Sequence, residues 1–332
     1  MTVSRALRND PHVRSAVRER VCAMALAAGY AGNPFLSAWM AEMRRARRRT
    51  LRCGLAWICG PLGIAAWETR PELSGYLRGA RERAAALGYA LDPVALPADA
   101  SAGRIVQILL ARGLRGAVVP PGIAAAFASA LPDDFALARI GGAPDEPGVR
   151  AVAPHYAANL LLAWDELRRA GRRRIGLCVS AAHVRESECA TLAAFLARQA
   201  EDAPEDEVPA LILPTGADAA PLVARWCRQA WPNAAITDLD GLPELAERPE
   251  AGGAQEMGFA HLDWHAGLLG WSGIDRDHRL LGAAAVEAVA ARVERKESGA
   301  LAHCDRVLAK GRWVGGGATR RVAFTKTARA AA

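Results

Sequence analysis

Ten arginines stand within the first 50 residues (Arg5, Arg8, Arg14, Arg18, Arg20, Arg44, Arg45, Arg47, Arg48 and Arg49), against only Asp10, Glu19 and Glu42. The rest of the chain balances its basic and acidic side chains, so the formal net charge of +7 belongs to this end. Guanidinium groups concentrated in this way neutralise phosphates and release their counterions, which makes a polyanion the natural partner. A solvated arginine-rich linker is the alternative. A second constellation is His261, Asp263 and His265, whose alternation on a strand would place all three on one face at a spacing a metal ion can use. The sequence places no fourth ligand, so polar residues at a strand end are the preferred reading. Gly315, Gly316 and Gly317 follow a strand-like run but lack the spacing and the helix of a phosphate loop, and they read as a turn. There is no G-x-S-x-G elbow, and no spacing marks a nucleophile with its base.

These groups must be positioned by two kinds of sequence. Val17, Val21 and Met24 recur at i, i+4 and i+7 before Gly29, which predicts a short amphipathic helix over 15–28. A second helix is expected from Pro34 to Arg45, with proline in its first turn and arginines near its end. A boundary near residue 50 follows. Beyond it, strand-like runs at Cys53–Cys59, Ala90–Leu96, Gly116–Pro120, Ala136–Ile140, Ile175–Ser180, Ala210–Leu213, Ala234–Thr237 and Gly258–Leu262 alternate with helical patterns. The helices are expected at Pro71–Leu87, Gly103–Arg112, Tyr156–Ala170, Ser187–Gln199, Ala219–Gln229 and Leu281–Arg295. Alternation of this kind predicts an α/β fold of parallel sheets covered on both faces, and eight strands suit two lobes better than one sheet. The acidic stretch Glu201–Glu207 reads as a solvated loop and Ala323–Ala332 as a flexible tail.

Size and composition agree with this division. A chain of 332 residues suits a short N-terminal module plus a two-lobed body, and 52% hydrophobic with 23% charged residues is enough to bury a sizeable core. Seven scattered cysteines (Cys22, Cys53, Cys59, Cys178, Cys189, Cys227 and Cys304) form no C-x-x-C pair and read as reduced, mostly buried residues of a cytoplasmic protein. No stretch has the length of a membrane span or the layout of a secretion signal.

The first twelve residues, from Met1 through the run Thr2-Val3-Ser4-Arg5 to His12, resemble the recognition helix and following loop of the LacI/GalR family of transcriptional regulators. The helix at 15–28 with Gly29-Tyr30 resembles the third headpiece helix of that family, and Asn33-Pro34 the start of its hinge helix. In the body, Ser272-Gly273-Ile274-Asp275, the helix from Leu281 with Gly282, Ala285 and Val286, and Lys310-Gly311-Arg312-Trp313-Val314 resemble the last crossover strand, helix and C-terminal strand. The resemblance implies a partial helix-turn-helix headpiece at 1–32, a hinge and basic linker at 33–50, a two-lobed periplasmic-binding-protein-like core at 51–322 and a tail at 323–332.

The resemblance also implies roles. Arg5 becomes the candidate for a bidentate contact to guanine in the major groove, with Thr2, Ser4, Asn9 and Asn33 as further DNA contacts. Trp39 stands where the family wedges a leucine into a minor-groove step; it either unstacks that step or packs between paired hinges or against the core. Gly32 replaces the proline expected before the hinge. Trp67, Arg185, Asp240 and Asp275 are the implied effector contacts, the first as a stacking face and the others as polar ligands of a sugar. Ala153-Pro154-His155 stands where the family carries an aspartate. The expected partners are operator DNA, a small-molecule effector and a second copy of the chain; no cofactor, metal or membrane is implied. Because Met1 falls inside the family's second helix, an in-frame brace helix upstream is expected.

Two other classes stay open. A sugar sensor without DNA binding, or a solute-binding protein, would share the two-lobed body, and an α/β enzyme would need catalytic spacing that the sequence does not offer.

Overall fold

The computed structural model describes residues 14–27, 54–60, 63–96, 100–123, 128–142, 149–202, 204–248, 254–268, 270–295, 306–316 and 322–324. Thr2, Ser4, Arg5, Asn9, Asn33, Trp39, the helix expected at 34–45 and the arginine run 44–49 lie outside the described residues. The chain divides into two units, Met1–Arg52 and Cys53–Ala332. In the first, α1 (Ser15–Ala27) occupies the segment expected to be helical, with Val17 and Met24 exposed.

The second unit is built on two sheets. The first lobe holds β1 (Gly54–Ile58), β2 (Ala90–Val94), β3 (Leu114–Val119), β4 (Ala136–Ile140), β5 (Arg150–Pro154) and β11 (Arg306–Ala309) in the order β11-β5-β4-β3-β1-β2, all parallel. The second holds β6 (Ile175–Ser180), β7 (Leu211–Leu213), β8 (Ala234–Thr237), β9 (Ala254–His261), β10 (Ser272–Asp275) and β12 (Arg312–Val314) in the order β12-β10-β9-β8-β6-β7. Antiparallel β12 closes one edge of this sheet, and β13 (Val322–Phe324) pairs with β9. Phe324 therefore extends ordered strand into the stretch read as tail. Inner strands are mainly apolar, as strands buried on both faces must be: β1 reads Gly-Leu-Ala-Trp-Ile with four of its five residues buried.

Helices connect the strands: α2 (Gly63–Thr69), α3 (Pro71–Ala86) and α4 (Ala102–Ala111) in the first lobe, then α5 (Tyr156–Arg169), α6 (Ala181–Glu186), α7 (Ala190–Asp202), α8 (Ala219–Ala230) and α9 (Leu242–Ala246) in the second. The long α10 (His278–Arg295) returns to the first lobe. Its contact with α3 is unusually close. A Cβ on Gly79 would overlap the carbonyl of Arg279, and one on Gly282 would overlap the carbonyl of Tyr76. Helical glycine costs about 1 kcal/mol relative to alanine, so its use on both facing surfaces is a trade of propensity for proximity.

The chain crosses between lobes three times, at 154–156, 275–278 and 309–312. The crossovers are bonded to each other: His155 N donates to Ala309 O at 2.7 Å, and Gly311 N to the buried Asn159 Oδ1 at 2.8 Å. The acidic stretch is not a plain loop. α7 runs to Asp202, which accepts from Trp164 Nε1 at 3.1 Å and pairs with Arg198, and a single 3-10 turn follows at Pro204–Asp206. Among the described cysteines, Cys59, Cys178 and Cys227 are buried while Cys22 and Cys189 are exposed. Burial pushes the Cys59 thiol up to about 11 and that of Cys227 to about 12, which leaves them inert as nucleophiles. Among the described residues no helix is long and apolar enough to cross a membrane.

Candidate ligand cleft

Strands of a parallel sheet deliver their carboxyl ends to one edge, and it is there that polar residues collect in this molecule. β6 ends at Ser180, whose amide and hydroxyl donate to Asp238 at 2.8 and 2.6 Å, and whose Oγ also caps α6 by accepting from His183 N at 3.0 Å. β9 ends at His261 and leads to Asp263. The Asp263 carboxylate lies 2.6 Å from His278 Nε2 and 3.4 Å from Arg276 Nη1. Arg276 and His278 lie on the second crossover and are both buried. Arg276 Nε donates to Leu262 O at 2.7 Å, and its guanidinium lies over the ring of Tyr156, the first residue of α5, 5.4 Å from the centroid. Tyr156 in turn donates to Glu186 Oε1 at 2.8 Å. From the first lobe, Tyr76 of α3 stacks on His278 with ring centroids 4.2 Å apart and 14° between planes.

Electrostatics follow from burial among opposite charges. Burial alone would raise the Asp263 carboxyl, but Arg276 and then His278 outweigh it and hold the group well below the usual carboxylate range. For Arg276, burial disfavours the charge and Asp263 more than restores it. Burial and then Glu186 push the Tyr156 phenol up; burial and then Asp263 do the same for Tyr76, so both rings stay neutral donors. His183 is pushed down to about 4 by burial and the nearby Arg276, and its Nε2 meets Thr191 Oγ1 at 2.9 Å.

The effector residues expected from sequence do not come together. Trp67 is a core residue: it is fully buried on α2, edge-on to Trp57, with Nε1 donating to Cys59 O at 3.0 Å, so its faces meet protein. Asp275 faces the antiparallel partner strand, accepting from Arg312 Nη2 at 2.7 Å and from Asp277 N at 2.8 Å. Arg185 is on the exposed side of α6. Asp240 is 63% exposed, beside two imidazoles: His261 Nε2 at 3.2 Å and His265 Nε2 at 3.8 Å. His261 holds its carboxyl below the ordinary value. His183, Arg276 and His278 were not singled out in the sequence; the run Asp275-Arg276-Asp277-His278 between a strand and a helix was the available signal.

The alternating His261, Asp263 and His265 do not form a metal centre. Nδ1 of His261 accepts from Asp263 N at 3.1 Å, and Nδ1 of His265 from Gly267 N at 3.2 Å. An accepting Nδ1 leaves the proton of a neutral ring on Nε2, the atom turned toward Asp240 in both rings. Among the described residues no group of three or more His, Cys, Asp or Glu side chains is arranged to hold a metal ion.

No family model matches the sequence, and no curated protein matches it. Solved structures do match in fold. The chain is similar to a transcriptional regulator CelR–cellobiose complex, with a TM-score of 0.59 and 16% identity over 96% of this chain and 94% of that one. It is similar to the Lac repressor bound to ONPG in its repressed state, with a TM-score of 0.55 and 16% identity over 95% and 94% of the two chains. A periplasmic binding protein/LacI transcriptional regulator from Alkaliphilus metalliredigens, complexed with D-xylulofuranose, matches with a TM-score of 0.56 and 12% identity, covering 82% of this chain and 99% of that one. The fold is thus the two-lobed periplasmic-binding-protein-like α/β architecture found in many LacI-family regulators.

Proposed function

We propose that the chain is a ligand-responsive DNA-binding regulator of the LacI/GalR kind, a repressor that dimerises on a palindromic operator and takes a sugar between its lobes. The observation that carries this reading is the meeting of Asp263, Arg276 and His278 at the second crossover, within a fold shared with sugar-complexed regulators. Sugar hydroxyls both donate and accept, so carboxylates and a guanidinium side by side suit them. Arg276 and His278 take the places first given to Asp275 and Trp67, while Arg185 and Asp240 act at the rim.

In this reading Arg5, with Thr2, Ser4, Asn9 and Asn33, contacts the operator, Trp39 enters the minor groove, and ligand-driven closure is passed to residues 33–50. Coupling between ligand and operator is reciprocal and worth about 1–3 kcal/mol. The test is a thermal-shift screen of mono- and disaccharides followed by operator titration with and without the best ligand. A concentration-dependent rise in melting temperature, a change of operator affinity of roughly 5- to 150-fold, and loss of both in Arg276→Ala are expected. Sedimentation should give twice the 35.1 kDa chain mass. A monomer that binds no operator at low salt would overturn the regulator reading.

A further inference from the structure

The turn that joins α6 to α7 touches the opposite lobe at two points, the first beside the Tyr156–Glu186 hydrogen bond. Gly142, just beyond β4 in the first lobe, lies so close to this turn that a Cβ on it would overlap the carbonyl oxygen of Glu186. Two residues on, Glu188 receives a two-pronged ion pair from Arg306 of β11: Nη2 to Oε1 at 2.5 Å and Nη1 to Oε2 at 3.1 Å. The turn is shaped for the contact at a cost. Glu188 and Cys189 both have left-handed backbone, with φ of 50° and 63°, a conformation unfavourable for residues with a Cβ. It is stabilised by Glu188 N donating to Arg185 O and Cys189 N to Val184 O. Consecutive strained residues persist where their surroundings over-determine them, and they mark places where a conformation is being held.

We propose that the turn at 186–189 is an interlobe latch, which holds the two lobes closed through protein contacts alone and so sets part of the closure equilibrium outside the ligand site. Closure energy comes from a steric fit, Gly142 under the Glu186 carbonyl, and from a bidentate guanidinium–carboxylate pair whose geometry tolerates little displacement. A ligand between the lobes adds to a bias already present, so altering the latch changes the population of the closed state without removing any side chain assigned to the ligand.

The latch is tested on the full chain without ligand, by small-angle scattering and by amide hydrogen exchange of 142 and 184–190. Gly142→Ala needs no unusual backbone and acts as a wedge against the Glu186 carbonyl; it should raise the radius of gyration and speed exchange in the turn by about tenfold or more. Arg306→Glu should act in the same direction with a smaller effect, about two- to fivefold in exchange, since the pair is partly exposed. The double variant Glu188→Arg/Arg306→Glu should return both readings toward wild type. Should Arg306→Glu fail to fold, Arg306→Gln serves in its place. Wild-type scattering and exchange in both single variants, or a charge swap that restores nothing, would overturn the proposal.

Discussion

The two lobes are built on the same strand–helix alternation, yet they meet each other with different materials. Apart from Arg306, the first lobe brings shape: a single apolar core, helices drawn together by Gly75, Gly79 and Gly282, and Gly142 beneath a carbonyl of the other lobe. The second brings charge: Asp238, Asp263 and Glu186, with Arg276 and His278 on the crossover, while its own apolar contacts lie in two clusters. Steric fit is insensitive to salt and pH; charge pairs are not. One lobe therefore acts as a fixed platform, and the other as the side on which solution conditions and polar ligands can act.

The largest effect is expected on the platform. Gly79→Val must displace the backbone of Arg279 and should cost about 3 kcal/mol or more, measured by denaturant unfolding and unchanged between low and high salt. Asp263→Asn comes next: it leaves Arg276 buried with its main counter-charge gone and should cost about 2–3 kcal/mol, less at high salt. A cost independent of salt would remove the contrast between the lobes. His183 sharpens it through pH. Its folded-state value of about 4 lies below the 6.5 of an unperturbed imidazole, so the unfolded chain binds the extra proton first. That stability is intact above about pH 6.5 and is lost progressively as pH falls toward 4, by an order of a few kcal/mol. His183→Gln keeps a partner for Thr191 and should flatten this acid limb in melts taken between pH 7 and 4.5. The smallest effect is at Asp240→Asn. With its side chain 63% exposed, stability should change by less than about 0.5 kcal/mol, while sugar affinity falls if the rim assignment is correct.

Much of the fold was legible because buried parallel strands are continuous apolar runs. β4, β6 and β8 occupy the ranges expected, α3, α5 and α8 differ by one residue at one end, and α4 is shifted by one residue. What escaped has identifiable causes. α7 starts at Ala190 rather than Ser187 because two non-glycine residues adopt left-handed backbone, which periodicity does not encode. β5 ends in Pro154, a residue that argues against an inner strand. β11 escaped because its side chains are mostly exposed, so it lacks a buried face's pattern. The site was less legible than the fold. Tyr76, Tyr156, Glu186, Asp263 and His278 come from separate segments and converge only through topology. Trp67 shows the reverse error: an aromatic after a strand end reads as a ligand platform, but its indole proton had a carbonyl partner eight residues back.

The return of α10 to the first lobe has a consequence for how the molecule is made. Arg279 grips Glu82 across 197 residues of sequence, and the helix that carries it fills the space over β3, β4 and β5. A chain emerging from the ribosome would complete most of the second lobe, from α5 to β10, as one contiguous stretch while the first still lacked this helix and β11. Most of the second lobe is thus in place before the N-terminal lobe can be covered, with β12 and β13 at its margin still to come, and the first lobe's open sheet edge and uncovered apolar face are exposed during the interval. Nascent chains arrested just after residue 275 should show a protease-resistant fragment from the second lobe and a sensitive first one, and extension through residue 309 should protect both.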